Sequence, residues 1–415
     1  MWGEDKAEDR LRELFRDPRW SLPAWRDPQR RIRRAARRQR LRLTGMAAGV
    51  AAAVIAVAVP VGIGISGHAP GPAGEDRPGV PATVYVVYRY PPKFSTTAII
   101  PISAATNTPG KPIHVDINGG VALTPNGKTL YVGSGGTVVP ISTATNKPGK
   151  PISIGPGGAG QILINPNGKT AYVTSFFPSG TITPFSIATG TLGNPIRVGS
   201  IIESIAFTPD GKTVYLATRD SVIPVNTATN RPGKPIRIGS TAFAIAITPD
   251  GKTAYLMGPE TVIPVSTATN RPGKPIRIGS PTNAIAITPD GKTVYVASAP
   301  GEAVIPISTA TNKAGKPIRI GRPVEEIAIT PDGKTAYVAS SEGANRTVTP
   351  ISTATNTLGK PIPIALGLII AMAPGGKTLY AVAWDKVVPI STATSTPGEP
   401  IRVRYGQPDG IVITP

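Results

Sequence analysis

Seven copies of Gly-Lys-Thr, from Gly127-Lys128-Thr129 to Gly376-Lys377-Thr378, are the residues of this 415-residue chain that first invite a chemical reading. A phosphate-binding loop ends in that tripeptide, with the lysine and the hydroxyl offered to a nucleotide, but it also needs a glycine five positions earlier and a helix N-terminus after it. Here the earlier position holds Ala122, Leu163, Ala206, Ala246, Ala286, Ala328 or Ala371, and strand-forming residues follow, so the tripeptide belongs to a turn. The chain has two histidines, His68 and His114, and no cysteine. A His/Cys metal cluster, a thiolate site and a histidine-served nucleophile are therefore unsupported, and no cofactor is expected. The one dense carboxylate group is Glu302 with Glu325 and Glu326. Paired carboxylates serve acid/base chemistry, but adjacent glutamates are more commonly just solvated, so no catalytic residue is assigned. The run Gly155 to Gly160 is too loose a pattern for a nucleotide site.

The elements that position these residues repeat. In Asn283 to Gly321, Ala284 to Thr288 and Thr293 to Ala297 are short β-branched runs around the turn Pro289-Asp290-Gly291-Lys292. A second pair, Ala303 to Ile307 and Lys316 to Ile320, flanks a Thr/Asn/Gly loop. One unit is thus four antiparallel strands, a to d. A strand-b tyrosine marks each copy: Tyr85, Tyr131, Tyr172, Tyr215, Tyr255, Tyr295, Tyr337 and Tyr380. Spacings of 40 to 46 residues fit propeller blades rather than helical solenoids. Composition agrees, with 46 Gly, 47 Pro and 5% aromatic residues in a turn-rich, all-β pattern. The first unit, from Ala82, lacks a strand a, while Gly410 to Pro415 is a strand a without a strand b. Pairing the two closes the ring and removes both sheet edges, which predicts an eight-bladed propeller over 82–415 with one composite blade. Proline recurs inside every strand c, from Pro101 to Pro389, and there it predicts a bulge or a short, splayed strand.

Tyr172-Val173-Thr174-Ser175, Tyr295-Val296-Ala297-Ser298 and Tyr337-Val338-Ala339-Ser340 each follow a Pro-Asn/Asp-Gly-Lys-Thr turn, and the last two precede a Ser-Thr-Ala-Thr-Asn loop, which reads Ser-Ile-Ala-Thr-Gly after the first. In these features the chain resembles the YVTN-type β-propeller repeat family of bacterial surface and periplasmic proteins and archaeal surface-layer proteins. The resemblance covers 82–415 and implies a propeller. Members of that family are commonly seven-bladed, which keeps seven as the alternative to eight. It implies no particular activity, because propellers host many.

The N-terminal region reads differently. Residues 1–42 carry 14 Lys+Arg against 7 Asp+Glu, and 43–66 are 24 uncharged, mainly apolar residues. That length is enough for one transmembrane helix, and the arginines place a basic tail in the cytoplasm beside anionic lipid. Residues 67–81 form a Pro/Gly-rich tether. The expected location is the cell membrane, single-pass, with the propeller extracytoplasmic; the alternative is a secreted chain released by signal cleavage. No nucleic-acid partner is expected, since lipid already answers the charge.

Propeller geometry then sorts the loops. The a-b and c-d loops share one face and are repetitive and basic; Lys212, Lys252, Lys292 and Lys334 are candidates for facing the membrane, or are simply solvated turn residues. The d-a and b-c loops on the other face differ from copy to copy. They supply a candidate binding face of Tyr88, Tyr90, Phe94, Phe176, Phe177, Phe243, Glu302, Glu325, Glu326, Trp384 and Tyr405 for an unknown protein or glycan ligand. A binding or scaffold module is the leading function. The alternatives are a lactonase-like hydrolytic propeller and a surface sensor signalling through the tail.

Overall fold

The computed structural model describes residues 82–415 apart from 91–95, 156, 176–179, 299, 344, 365–368 and 404–405. The tail, apolar segment and tether expected over 1–42, 43–66 and 67–81 lie outside the described residues. No helix occurs among the described residues. They fold into eight antiparallel sheets, numbered here as blades 1 to 8 in the chain order of their strand b.

Blade 5 shows the pattern. Strand a is Ala244–Ile247, strand b Thr253–Met257 and strand c Thr261–Ser266, while strand d consists of two dipeptides, Arg271–Pro272 and Ile276–Arg277. Alternating apolar residues fill both faces of each blade, because each sheet packs against a neighbour on either side. Eight hydrophobic clusters result, one for each seam between consecutive blades. Each strand-b tyrosine lies in the seam to the following blade, as Tyr255 does among Val262, Ile276 and Val296. An open array of eight blades would have only seven seams, so the ring is closed.

Closure uses the two ends of the propeller sequence. Gln407–Ile413 pairs with Thr83–Tyr90, with Val84 opposite Ile413 and Val86 opposite Ile411, and Thr96–Ser103 completes blade 1 on the other side. The join copies the hairpin of the other blades without its turn. Thr414 N–H donates to the Thr83 carbonyl at 3.0 Å, and Thr83 N–H donates to Thr414 Oγ1 at 2.7 Å. In blade 5, Thr248 and Thr253 make the same two bonds across a covalent turn.

The expected bulge in strand c does not form. Every strand-c proline sits in regular register opposite its strand-b tyrosine, from Tyr85 with Pro101 to Tyr380 with Pro389. An antiparallel residue points its N–H and C=O to the same side, and for these prolines that side is strand d. The missing donor therefore costs the ladder nothing between b and c. Its effect falls on d, which is split opposite the proline. The proline carbonyl still accepts a bond, for example from Gly273 N–H to Pro264 at 2.7 Å. A Cβ on Gly273 would stand 3.1 Å from the Pro264 ring, so this glycine answers a close approach.

Candidate binding face

The two faces of the ring use their polar side chains differently. On the face of the a-b and c-d loops, the polar groups of each a-b turn are occupied by the turn itself. In blade 5, Thr248 Oγ1 donates to Asp250 Oδ1 at 2.7 Å, and the same oxygen accepts Lys252 N–H at 3.0 Å. The Asp250 carboxyl is held below its ordinary pKa, chiefly by the Thr248 hydroxyl and then by the Lys252 N–H, with burial opposing. Lys252 Nζ lies 3.6 Å from Asp250, and Lys212, Lys292 and Lys334 repeat the arrangement with Asp210, Asp290 and Asp332 at 3.6, 3.5 and 3.9 Å. These four lysines are exposed and each is partly neutralised by its own turn. Between consecutive c-d and a-b turns lies a shallow depression of about 230 Å³ edged by Asp250, Asp290 and Thr309.

A clasp between blades also belongs to this face. The Tyr255 phenol donates to Asn312 Oδ1 in the c-d turn of blade 6 at 2.7 Å. Tyr85, Tyr172, Tyr215 and Tyr295 reach Asn146, Asn230, Asn270 and Asn356 in the same way, at 2.6 to 2.8 Å, and Tyr337 reaches the Ser395 hydroxyl at 2.9 Å. Blade 3 has Gly190 in place of the asparagine, and there Tyr131 donates to the Ile187 carbonyl instead. Each asparagine holds a positive φ of 52 to 57°, a region that asparagine tolerates better than most residues. In the sequence the tyrosine is a periodic marker and the asparagine a turn residue. Their shared period was the available signal that they are partners.

On the opposite face the polar groups differ from blade to blade. Arg89 of strand b in blade 1 pairs with Asp409 at 2.9 Å. In blade 7, Arg346 Nη1 lies 3.1 Å from Glu325, which also accepts the Ser341 hydroxyl. Both arginines keep a withdrawn Nε without a hydrogen-bond partner. Glu326 points the other way, across the seam, and its Oε2 accepts Ile370 N–H from the innermost strand of blade 8 at 2.9 Å. Although the residue keeps some solvent contact, its carboxyl is enclosed. Burial pushes it up to about 7; the Ile370 N–H opposes the rise and the Glu325 charge adds to it. Gln161 reaches across to the Glu203 carbonyl in the next d-a loop, and Asn283 to the Val324 carbonyl at the start of strand a of blade 7. Phe243 and Ile201, in the d-a loops of adjacent blades, are 48% and 44% exposed, among the few large apolar side chains left open.

The candidate residues distribute unevenly over this face. Phe243, Glu325 and Glu326 are at the entrance of the innermost strands. Glu302 occupies a b-c turn at φ 47°, its carbonyl accepting Ile320 N–H, so it stands at the outer part of blade 6. It does not join Glu325 and Glu326, because strand d is outermost and strand a innermost. Trp384 is half-buried in the b-c turn of blade 8. Tyr88 is placed elsewhere than expected: it lies within strand b, 0% exposed, and its phenol donates to the Ala383 carbonyl at 2.8 Å. Strand b runs past it to Tyr90, so Tyr88 packs the seam with blade 8 and is withdrawn from the surface. The Tyr90 side chain and Phe94, Phe176, Phe177 and Tyr405 lie outside the described residues. Among the described residues no group of three or more His, Asp or Glu is placed to hold a metal ion.

The last glycine of the run Gly155 to Gly160 lies in strand a of blade 3, Ala159–Ile164. Gly120 N–H donates to the Gly160 carbonyl at 2.6 Å, tying the residue that leads into strand a of blade 2 to strand a of blade 3. A Cβ on Gly160 would meet Thr174 Oγ1 at 2.4 Å, and one on Gly119 would meet the Ala159 carbonyl at 2.1 Å. Glycine at 119, 120 and 160 therefore answers a packing requirement.

No family model matches the chain, and no curated protein matches it. Among solved structures it is similar to the dihydro-heme d1 dehydrogenase NirN in complex with DHE, at a TM-score of 0.66 and 13% identity, over 80% of this chain and 74% of that one. A functionally unknown protein from Desulfotomaculum acetoxidans DSM 771 aligns at a TM-score of 0.54 and 18% identity, over 68% and 96%. Hydrazine synthase of Kuenenia stuttgartiensis aligns at 0.47 and 24% identity, over 55% and 75%. At these identities the first two likenesses establish the β-propeller fold and nothing finer.

Proposed function

We propose that this chain is a membrane-anchored, extracytoplasmic binding module of the YVTN type, whose ligand meets the face of the d-a and b-c loops. The observation that carries the proposal is the contrast between faces. Thr248, Asp250 and Lys252 and their counterparts satisfy one another in copy after copy, whereas Arg89–Asp409, Arg346–Glu325, Phe243 and Ile201 occur once each. Non-repeated groups on a rigid repeated scaffold are where selectivity is built. Charged pairs and an exposed Phe243 on the same face suit a protein or glycan that offers both hydrogen-bonding groups and an apolar surface.

The anchor half of the proposal rests on the uncharged stretch 43–66 after the basic tail. A reporter active only outside the cytoplasm, fused after Pro415, is expected to be active in cells, with the chain retained in membranes after an alkaline wash. For the ligand half, the full chain is applied to arrays of glycans and surface proteins alongside two variants. Ile201→Ala with Phe243→Ala is expected to abolish retention of whatever the natural chain retains, and Lys252→Ala with Lys292→Ala to preserve it. The reverse pattern would overturn the assignment of the face.

A hydrolytic, lactonase-like reading has one observation in its favour. The Glu326 carboxyl, raised to about 7 on an innermost strand, has the acidity of a general acid or base. Its hydrogen bond to Ile370 also gives it a structural role. Turnover of ester or lactone substrates by the chain, lost in Glu326→Gln, would favour the enzyme.

A further inference from the structure

The outer edges of blades 4 to 6 carry a belt of cations that the rest of the ring lacks. Strand d of blade 4 presents Arg231, Lys234 and Arg237, and the same places in blade 5 hold Arg271, Lys274 and Arg277, all exposed. Blade 6 repeats the triplet from Lys313 to Arg319. Elsewhere it is interrupted. The third place is His114, Ser153 and Pro363 in blades 1, 2 and 7, the first is Thr191 in blade 3, and blade 8 has Glu399 at the second. The belt is continuous, because Ile236–Arg237 packs against Arg271–Pro272, and Ile276–Arg277 against Lys313–Ala314.

Among the described residues none of these side chains enters an ion pair. The ion pairs of the a-b turns take Lys212, Lys252, Lys292 and Lys334. Asp220, Glu260 and Glu302 each lie one residue beyond the strand-c partner of Arg237, Arg277 or Arg319, and still form no ion pair with it. A row of uncompensated cations repels itself in the free protein and gains when several anionic groups bind together. Arginine in the third place offers a planar fork that matches phosphate or carboxylate. Eight blades in a closed ring advance by about 45° each, so three blades bend the belt through about 90°. A plane touches such a wall along one blade; a flexible chain follows all three.

We propose that this belt docks a flexible linear polyanion bearing a phosphate or carboxylate on each unit. The full chain in detergent micelles is titrated with long-chain inorganic polyphosphate at several salt concentrations, with phosphatidylglycerol vesicles as a second arm. The triple variant Arg237→Gln, Arg277→Gln, Arg319→Gln is expected to lose about tenfold in affinity and to reduce the slope of log affinity against log salt by about 2 to 3. The Lys234→Gln, Lys274→Gln, Lys316→Gln triple loses as much, which separates the effect from a fold defect in either row. A control triple off the belt, Lys111→Gln, Lys150→Gln, Arg402→Gln, stays within about twofold of the natural chain. Equal losses in belt and control triples, binding to vesicles without binding to polyphosphate, or no polyphosphate binding would each overturn the proposal.

Discussion

Tyr255 of blade 5 and Asn312 of blade 6 are 57 residues apart in sequence and joined by a 2.7 Å hydrogen bond across the seam. The ring of the tyrosine is 1% exposed among the apolar side chains of that seam, while its hydroxyl surfaces at the turn where the asparagine holds φ 52°. One residue thus fills the seam and the other fixes where the seam ends.

Removing only the hydroxyl, in Tyr255→Phe, is expected to cost about 1 kcal/mol, and Tyr255→Ala about 3 to 5 kcal/mol through the cavity it leaves. Asn312→Gly keeps the backbone conformation and isolates the same bond. In a double-mutant cycle followed by urea unfolding, Tyr255→Phe and Asn312→Gly should couple by about 1 kcal/mol. Additivity would mean that the bond does not contribute.

The tyrosines also set an alkaline limit. Burial pushes Tyr85, Tyr172, Tyr215 and Tyr255 up to about 12 and raises Tyr131, Tyr295 and Tyr380 as well. A group whose folded pKa is raised gives stability that is complete below its unfolded value of about 10 and is lost as pH rises toward 12. Tyrosinate absorbance should therefore appear together with loss of the β-sheet circular dichroism between pH 10 and 12. Ionisation of most tyrosines near 10 in a still-folded chain would contradict the burial.

Glu326 acts at lower pH and in the same direction. Its carboxyl is neutral in the fold up to about 7 but ionises near 4.3 when unfolded, so stability is complete below that lower value and falls as pH climbs between the two. Glu326→Gln keeps an acceptor for Ile370 N–H and has no charge to bury. It should be more stable than the natural chain at pH 8, by up to about 3 kcal/mol, and closely similar at pH 4. Urea midpoints at the two pH values decide; an equal effect at both would show that titration is not involved.

Much of this fold was legible in the chain, because each repeat states the same local rules eight times over. The period of the tyrosines, the turn at Pro289-Asp290-Gly291-Lys292 and the unmatched strand at Gly410 to Pro415 led to eight blades and to the composite first blade. The strand-c prolines misled, since a sequence does not say which edge a residue points its N–H toward; in register opposite tyrosine they face only strand d. The candidate face was legible as a set of loops and not as a site. Whether Glu325 finds Arg346, or Tyr88 turns inward, depends on pairings between segments that have no periodic partner. The cation belt was visible as letters, but its continuity required knowing that strands d of neighbouring blades touch.

Every assignment of a repeated face and a variable face requires the ring to be shut by Val84 against Ile413. The chain has no cysteine, so the pair Val84→Cys and Ile413→Cys tests this contact without interference. Facing residues of an antiparallel pair bring their Cβ atoms within disulfide range. Oxidation is expected to give one intramolecular disulfide in nearly all molecules, formed without denaturant, with a rise in unfolding midpoint that disappears on reduction. Thiols that stay free in the folded chain, or link only between molecules, would contradict the closed ring and both faces with it.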